Sequence, residues 1–260
     1  MPTLSYYTQN REYLLHKPAR ASNKKLALMI MAHGGMGTAK HFEEGTKMSA
    51  IADSEGFMVA YPQGTASKAP GMEDQRTWNA GKCCGAAVAL KVDDSKFFAG
   101  MIDDIAASHP LDRARVYVAG MSNGAMMALR FACERPDLVA ACVVNSGTLD
   151  AGDTDRMQGI PYLHIHGKKD QNVKFLGGVG PSGVNYRPVP ETIDKILAVR
   201  GTNTKDTQHV SGVERVTYAC TLGAQVNTVF IDEGEHEWFV DPVSSTFEAW
   251  SFAKRFKKVA

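Results

Sequence analysis

The sequence predicts an α/β fold, a mostly parallel sheet with helices on both faces, and three observations carry that expectation. Short apolar runs alternate with segments of helical spacing along most of the 260 residues. The runs are continuous rather than alternately polar, as strands covered on both faces require. A glycine-flanked serine, Gly120-Met121-Ser122-Asn123-Gly124, joins one such run to the helix after it. With no internal repeat and no linker between two cores, residues 1–260 read as one domain.

Arg11 to Leu15 reads as the first strand. Lys25 to Ala32 (KLALMIMA) is an uninterrupted apolar run that enters His33-Gly34-Gly35-Met36-Gly37, the pattern of a buried parallel strand opening into a loop. A helical stretch around His41 to Glu55 precedes the strand Phe57 to Tyr61, which Pro62 stops. Pro62 to Gly85 collects Gly, Pro, Ser and Thr around Trp78 and Cys83-Cys84, and is predicted as a long surface loop. Asp93 to Ala107 has helical spacing at Phe97, Met101 and Ile105, and Asp112-Arg113 leads into the strand Arg115 to Ala119. The helix Ala125 to Arg135 and the strands Val139 to Asn145 and Tyr162 to His166 continue the alternation. An irregular stretch from Lys174 to Pro190, the helix Glu191 to Arg200, the strand Gln225 to Ile231 and the helix Ser244 to Lys257 complete it.

Composition narrows the function. Lys and Arg total 29 against 28 Asp and Glu, so no excess positive charge exists to hold a nucleic acid through its phosphates. No apolar run approaches the length that spans a bilayer, so no membrane partner is expected. The basic tail Lys254, Arg255, Lys257, Lys258 reads as a solvated last helical turn that complements the helix dipole. The start, MPTLSYYTQNREYLLHKPAR, lacks the basic-then-apolar pattern of a signal peptide.

The chemistry starts at Ser122. Gly120 to Gly124 follows the apolar strand RVYVA and precedes the helix AMMALRFACER, the strand, sharp turn and helix that G-x-S-x-G needs before it means a nucleophile. This makes the expected fold an α/β-hydrolase. The helix aims its first free N–H groups at charge developing beside Ser122, which makes the Asn123 N–H one oxyanion donor. The glycine loop after the earlier strand is placed to supply the other, from Gly35 or Met36.

A serine hydroxyl needs an imidazole within reach, and this fold supplies its partners in the order Ser, acid, His. Of the downstream histidines, His164 and His166 fall in the strand PYLHIHG, His209 lies in a polar stretch, and His236 alone follows the last predicted strand. His236 is therefore the expected base. Asp170 follows the strand at Tyr162 and is the expected acid; Asp150, Asp153 and Asp155 precede that strand, and Asp232 lies too close to His236. No H-E-x-x-H or paired C-x-x-C spacing is present, so neither a metal nor an organic cofactor is expected.

These residues resemble the feruloyl esterase and polyhydroxybutyrate depolymerase family, close to LpqC-type esterases and carbohydrate esterase family 1. The likeness runs from the HGG loop through Tyr61-Pro-Gln-Gly64, Thr77-Trp-Asn-Ala-Gly-Lys-Cys-Cys-Gly85, the nucleophile segment and His166-Gly-Lys-Lys-Asp170 to Gly234-Glu-His-Glu-Trp238. The resemblance implies Ser122, Asp170 and His236 as the triad, little or no lid, and a small-molecule or polysaccharide-linked ester as substrate. Esters of hydroxycinnamic acids with plant-wall sugars lead, with a short-chain polyester or polyhydroxybutyrate as the alternative. A catalytically silent carbohydrate-binding domain would have lost part of the triad, and all three members are present. Trp78, Tyr186 and Trp238 fall in loops expected to border the site and to stack on an acyl group or a sugar. The resemblance also places Cys83-Cys84 beside the site, with a bond from Cys84, or else Cys83, to Cys220 expected to pin the loop. The chain departs from the family at Gly35-Met36, where members often carry Cys, and at Glu235, which interrupts a glycine run before the histidine.

Overall fold

The computed structural model of the chain describes residues 4–258 apart from 9–10, 20–23, 73, 151–153, 158 and 222–223; Asp153 lies outside the described residues. The chain opens with two antiparallel strands, β1 (Leu4–Thr8) and β2 (Arg11–His16), of which only the second was expected. The strands β3 (Leu26–Ala32) and β4 (Met58–Pro62) follow, separated by α1 (Ala39–Thr46) and α2 (Met48–Glu55). The single helix expected over this stretch is two, because Lys47 turns into the left-handed region at φ 56°. Past the long loop come α3 (Gly85–Ala89), α4 (Asp94–Ser108), β5 (Leu111–Met121), α5 (Asn123–Glu134), β6 (Ala141–Asn145) and β7 (Tyr162–Gly167). The helix α6 (Val189–Ala198) leads to β8 (Thr202–Val210), β9 (Val213–Cys220), β10 (Val226–Ile231) and the closing helix α7 (Ser245–Ala253).

Among the described residues these ten strands form one sheet in the order β1-β2-β4-β3-β5-β6-β7-β10-β9-β8. The run from β4 to β10 is parallel, with an antiparallel pair at each edge. Continuous apolar runs make sense here because both faces are covered. In β3, Leu28, Ile30 and Ala32 join the core under α4, α5 and α6, while Ala27, Met29 and Met31 join the core under α1, α2 and α7.

The β8–β9 hairpin was not predicted. Its outer strand, TNTKDTQHV, pairs only with β9 and buries no apolar row, so the alternation that marks a strand is missing from its sequence. The basic tail is also corrected: α7 stops at Ala253, and Lys254 to Lys258 follow it with Arg255 lying 5.0 Å from the ring centres of both Phe252 and Phe256.

Candidate active site

Three chain segments converge at the C-terminal ends of the central strands. The first is the turn from β5 into α5. A Cβ on Gly120 would overlap the Gly124 carbonyl, and one on Gly124 would overlap the carbonyls of Ala32 and His33, so only glycine lets β5, α5 and β3 meet this closely. Between them Ser122 is held at φ 53°, ψ −123°, an unfavourable conformation costing about 1–3 kcal/mol, fixed by its N–H donating to Asn145 O at 2.9 Å.

The second segment follows β7 and carries Asp170, 2% exposed. Its Oδ1 accepts from the backbone N–H groups of Asn172 and Val173, each at 2.8 Å. The third follows β10 and carries His236. His236 Nδ1 lies 2.7 Å from Asp170 Oδ2 and its Nε2 lies 2.9 Å from Ser122 Oγ. Burial alone would push the Asp170 carboxyl up; the His166 and His236 imidazoles hydrogen-bonded to it outweigh burial and hold it well below the usual carboxylate range. An imidazole fixed this way can take the proton of the serine hydroxyl while the carboxylate stabilises the imidazolium.

The histidine loop is tied down by residues the sequence reading passed over. Asn145 Nδ2 donates to Glu237 O at 2.6 Å and Ser146 Oγ to the same oxygen at 3.1 Å, so the end of β6 holds both Ser122 and the loop of His236. Both side chains are polar and fully buried at the end of an apolar strand, which was their only mark in the sequence. The rival acids are engaged elsewhere: Asp150 accepts from the N–H groups of Lys82 and Cys83, and Asp232 pairs with Lys168 and His209.

The glycine loop runs beside the serine. A Cβ on Gly34 would lie 3.5 Å from Ser122 Cβ and one on Gly35 3.6 Å from Asn123 Cβ. Of the two N–H groups expected from this loop, that of Met36 is ruled out, because it donates to Arg76 O at 2.7 Å. His33 anchors the loop: Nδ1 donates to Gly34 O at 2.7 Å and Nε2 accepts from the Gly64 N–H at 3.1 Å. Burial pulls its pKa down to about 4, so the ring is neutral.

The three aromatic residues expected at the substrate do not line the cleft. Trp78 is fully buried, with Nε1 donating to His33 O at 2.8 Å and its ring 4.8 Å from that of His33, so it supports the loop from beneath. Tyr186 is buried beside the cysteines, its hydroxyl 2.8 Å from Ser182 Oγ and 3.7 Å from Cys83 Sγ. Trp238 donates to Thr246 Oγ1 and stands edge-on behind Phe42. The cleft itself, about 280 Å³, is walled by His41, Phe42 and Met121 with the loop of Gly34, Gly35 and Gly37, and its floor is Ser122 and His236. Aromatic residues in loops are visible in a sequence, but whether a ring faces the cleft or the core depends on contacts from distant segments.

The expected bond from the Cys83-Cys84 pair to Cys220 is also corrected. Cys83 and Cys84 are bonded to each other, and Cys220 is a free thiol at the end of β9, with Sγ donating to Tyr218 O. The loop is instead pinned by Asp150 and by the side chain of Asn123.

Strand order, the strained serine at the end of β5 and the hydrogen-bonded run through His236 to Asp170 define an α/β-hydrolase. The chain belongs to the esterase PHB depolymerase family, whose model matches residues 11–175. It is 26% identical over 257 residues to a feruloyl esterase B from Piromyces equi, covering 95% of this chain and 45% of that protein. It is 32% identical over 178 residues to a putative esterase, NocK, from Nocardia uniformis subsp. tsuyamanensis, covering 65% and 48%. The chain thus spans about half the length of these relatives. Among solved structures, an acetyl xylan esterase from Aspergillus awamori superposes with a TM-score of 0.69 at 16% identity, over 97% of this chain and 100% of that one. A CE1 ferulic acid esterase from Anaeromyces mucronatus superposes with a TM-score of 0.61 at 14% identity, over 98% and 89%. At such identities the likeness concerns the fold.

Proposed function

We propose that this chain is a serine carboxylic-ester hydrolase acting through an acyl-enzyme, with Ser122 as nucleophile, His236 as base and Asp170 as the acid that orients it. The observation that carries this reading is the continuous run of two short hydrogen bonds from Ser122 Oγ through His236 to Asp170. Ser122 Oγ attacks the ester carbonyl while His236 Nε2 takes its proton, and the Gly35 and Asn123 N–H groups receive the oxyanion. His236 then protonates the departing alcohol, and water releases the acid by the same route in reverse.

The acyl group we assign is a hydroxycinnamate, with a plant-wall sugar as the alcohol. An aromatic acyl group can lie against the apolar walls of the cleft, Phe42 and Met121. The feruloyl esterase relative, aligned over 95% of this chain, supports the same choice. The family model favours one further reading, a short-chain polyester or polyhydroxybutyrate depolymerase using the same residues.

Intact-mass measurement after a serine-directed phosphonate is expected to show one adduct, absent in Ser122→Ala; unchanged labelling of that variant refutes the nucleophile. Methyl ferulate, p-nitrophenyl acetate and polyhydroxybutyrate are then assayed on one preparation. Highest kcat/KM on methyl ferulate supports the hydroxycinnamoyl reading, and release of hydroxybutyrate without ferulate cleavage replaces it with the depolymerase.

A further inference from the structure

Behind Asp170 lies a row of buried polar side chains that the reaction above does not use. His164 and His166 point from β7 into the interior, and both are 0% exposed, as is Tyr162 two residues earlier. Tyr162 Oη lies 2.7 Å from His164 Nδ1, His164 Nε2 lies 3.3 Å from His166 Nδ1, and His166 Nε2 lies 2.8 Å from Val173 O and 3.3 Å from Asp170 Oδ2.

The protons in this row follow from the partners. A backbone carbonyl only accepts, so His166 Nε2 carries a hydrogen. Burial, reinforced by the neighbouring His166, keeps His164 uncharged. Tyr162 Oη against His164 Nδ1, and His164 Nε2 against His166 Nδ1, hold the His166 ring from behind. The carboxylate is thereby engaged on all sides: Oδ1 by two backbone N–H groups, Oδ2 by His236 and His166.

We propose that His166 is a positioning residue for the acid of the triad: its ring, held from behind by the Tyr162–His164 pair and carrying a hydrogen on Nε2, shares that hydrogen between Val173 O and Asp170 Oδ2 and so sets how Asp170 holds His236. The proposal rests on the assignment of Asp170 and His236 made above. Its chemical consequence has a definite sign. A second donor on Oδ2 draws charge from the oxygen that faces His236; without it that oxygen binds the imidazolium more strongly, and the acid limb of kcat/KM moves to higher pH. The titratable groups facing this cluster are Tyr162 and His164 from β7, His236 from the loop after β10 and Tyr186 from the loop before α6; Lys169 pairs with Glu233 at the rim.

The test uses the full chain with methyl ferulate or p-nitrophenyl acetate, whichever it cleaves. In His166→Phe, which fills the space but donates nothing, kcat is expected to fall about tenfold with KM within about twofold, and the acid limb to rise by roughly half a pH unit or more. His166→Gln, whose amide can donate to Asp170 and accept from His164, is expected to restore most of both. A His166→Phe variant with the wild-type profile, or a Gln variant no better than Phe, overturns the proposal. Asp170→Asn, run alongside, separates the two levels: near-normal activity there removes the triad assignment itself, whereas a crippled Asp170→Asn beside an unaltered His166→Phe leaves the triad and removes only His166. If the variants do not fold by circular dichroism, nitrogen NMR of wild-type protein labelled at histidine decides. His166 is expected to carry a hydrogen on Nε2, and a His166 Nε2 without one overturns the inference.

Discussion

Asn123 clasps the backbone of Trp78: its Oδ1 accepts from the Trp78 N–H at 2.7 Å and its Nδ2 donates to the Trp78 carbonyl at 3.0 Å. Trp78 in turn donates from Nε1 to His33 O, so one residue beside the nucleophile holds the long loop, and through it the glycine loop. Asn123→Ala leaves the buried Trp78 N–H unpaired, while the Trp78 carbonyl keeps the N–H groups of Ala80 and Cys84, and is expected to cost about 1–3 kcal/mol of unfolding free energy in urea. The Asn123 backbone N–H survives the change, so phosphonate labelling of Ser122 is expected to persist while kcat drops.

Trp78→Phe keeps most of the ring and removes the donor to His33 O. Stability is expected to fall by about 1–3 kcal/mol, with kcat reduced more than KM is raised, because the glycine loop carries the oxyanion donor proposed at Gly35. Loss confined to KM, measured on methyl ferulate, would instead make Trp78 a substrate contact.

Asp170→Asn is expected to lower kcat by orders of magnitude with the fold retained. It also has a stability signature. The folded carboxyl sits below its unfolded value near 4, so its stabilising contribution is complete above about pH 4 and fades as pH falls through the lower folded value. The stability difference between wild type and variant is expected to be flat from neutral pH down to about 5 and to shrink only in strong acid. Chemical unfolding at several pH values checks this.

His33 predicts an acid weakness at higher pH. Its folded pKa of about 4 lies below the ordinary value near 6.5, so the unfolded chain takes up the proton first. Stability is therefore expected to fall as pH drops from about 6.5 towards 4, by on the order of 3 kcal/mol. In His33→Gln the component of the slope in that window is expected to vanish.

Peptide mapping without reductant, on protein alkylated at harvest, is expected to find Cys83 and Cys84 joined within one peptide and Cys133, Cys142 and Cys220 alkylated after unfolding. A peptide joining Cys220 to either member of the pair would contradict the structure.

What the sequence by itself determined was local and periodic. Continuous apolar runs such as KLALMIMA reveal strands covered on both faces, and Gly120 and Gly124 reveal a turn that tolerates no side chain. Because a strand delivers the residues just past its end to one edge of the sheet, Ser122, Asp170 and His236 could be picked out together from their places after three strands. Tertiary structure decided what depended on segments far apart in the chain. Trp78 turned inward because the His33 carbonyl, 45 residues away, accepts its N–H. Met36 lost its place among the oxyanion donors to the carbonyl of Arg76. His166 reads as one more residue of an apolar strand until the loop after β7 folds back and brings Val173 and Asp170 against its ring. The β8–β9 hairpin is hidden in the sequence for a different reason: its outer strand, TNTKDTQHV, buries no apolar row, so no alternation of side chains marks it.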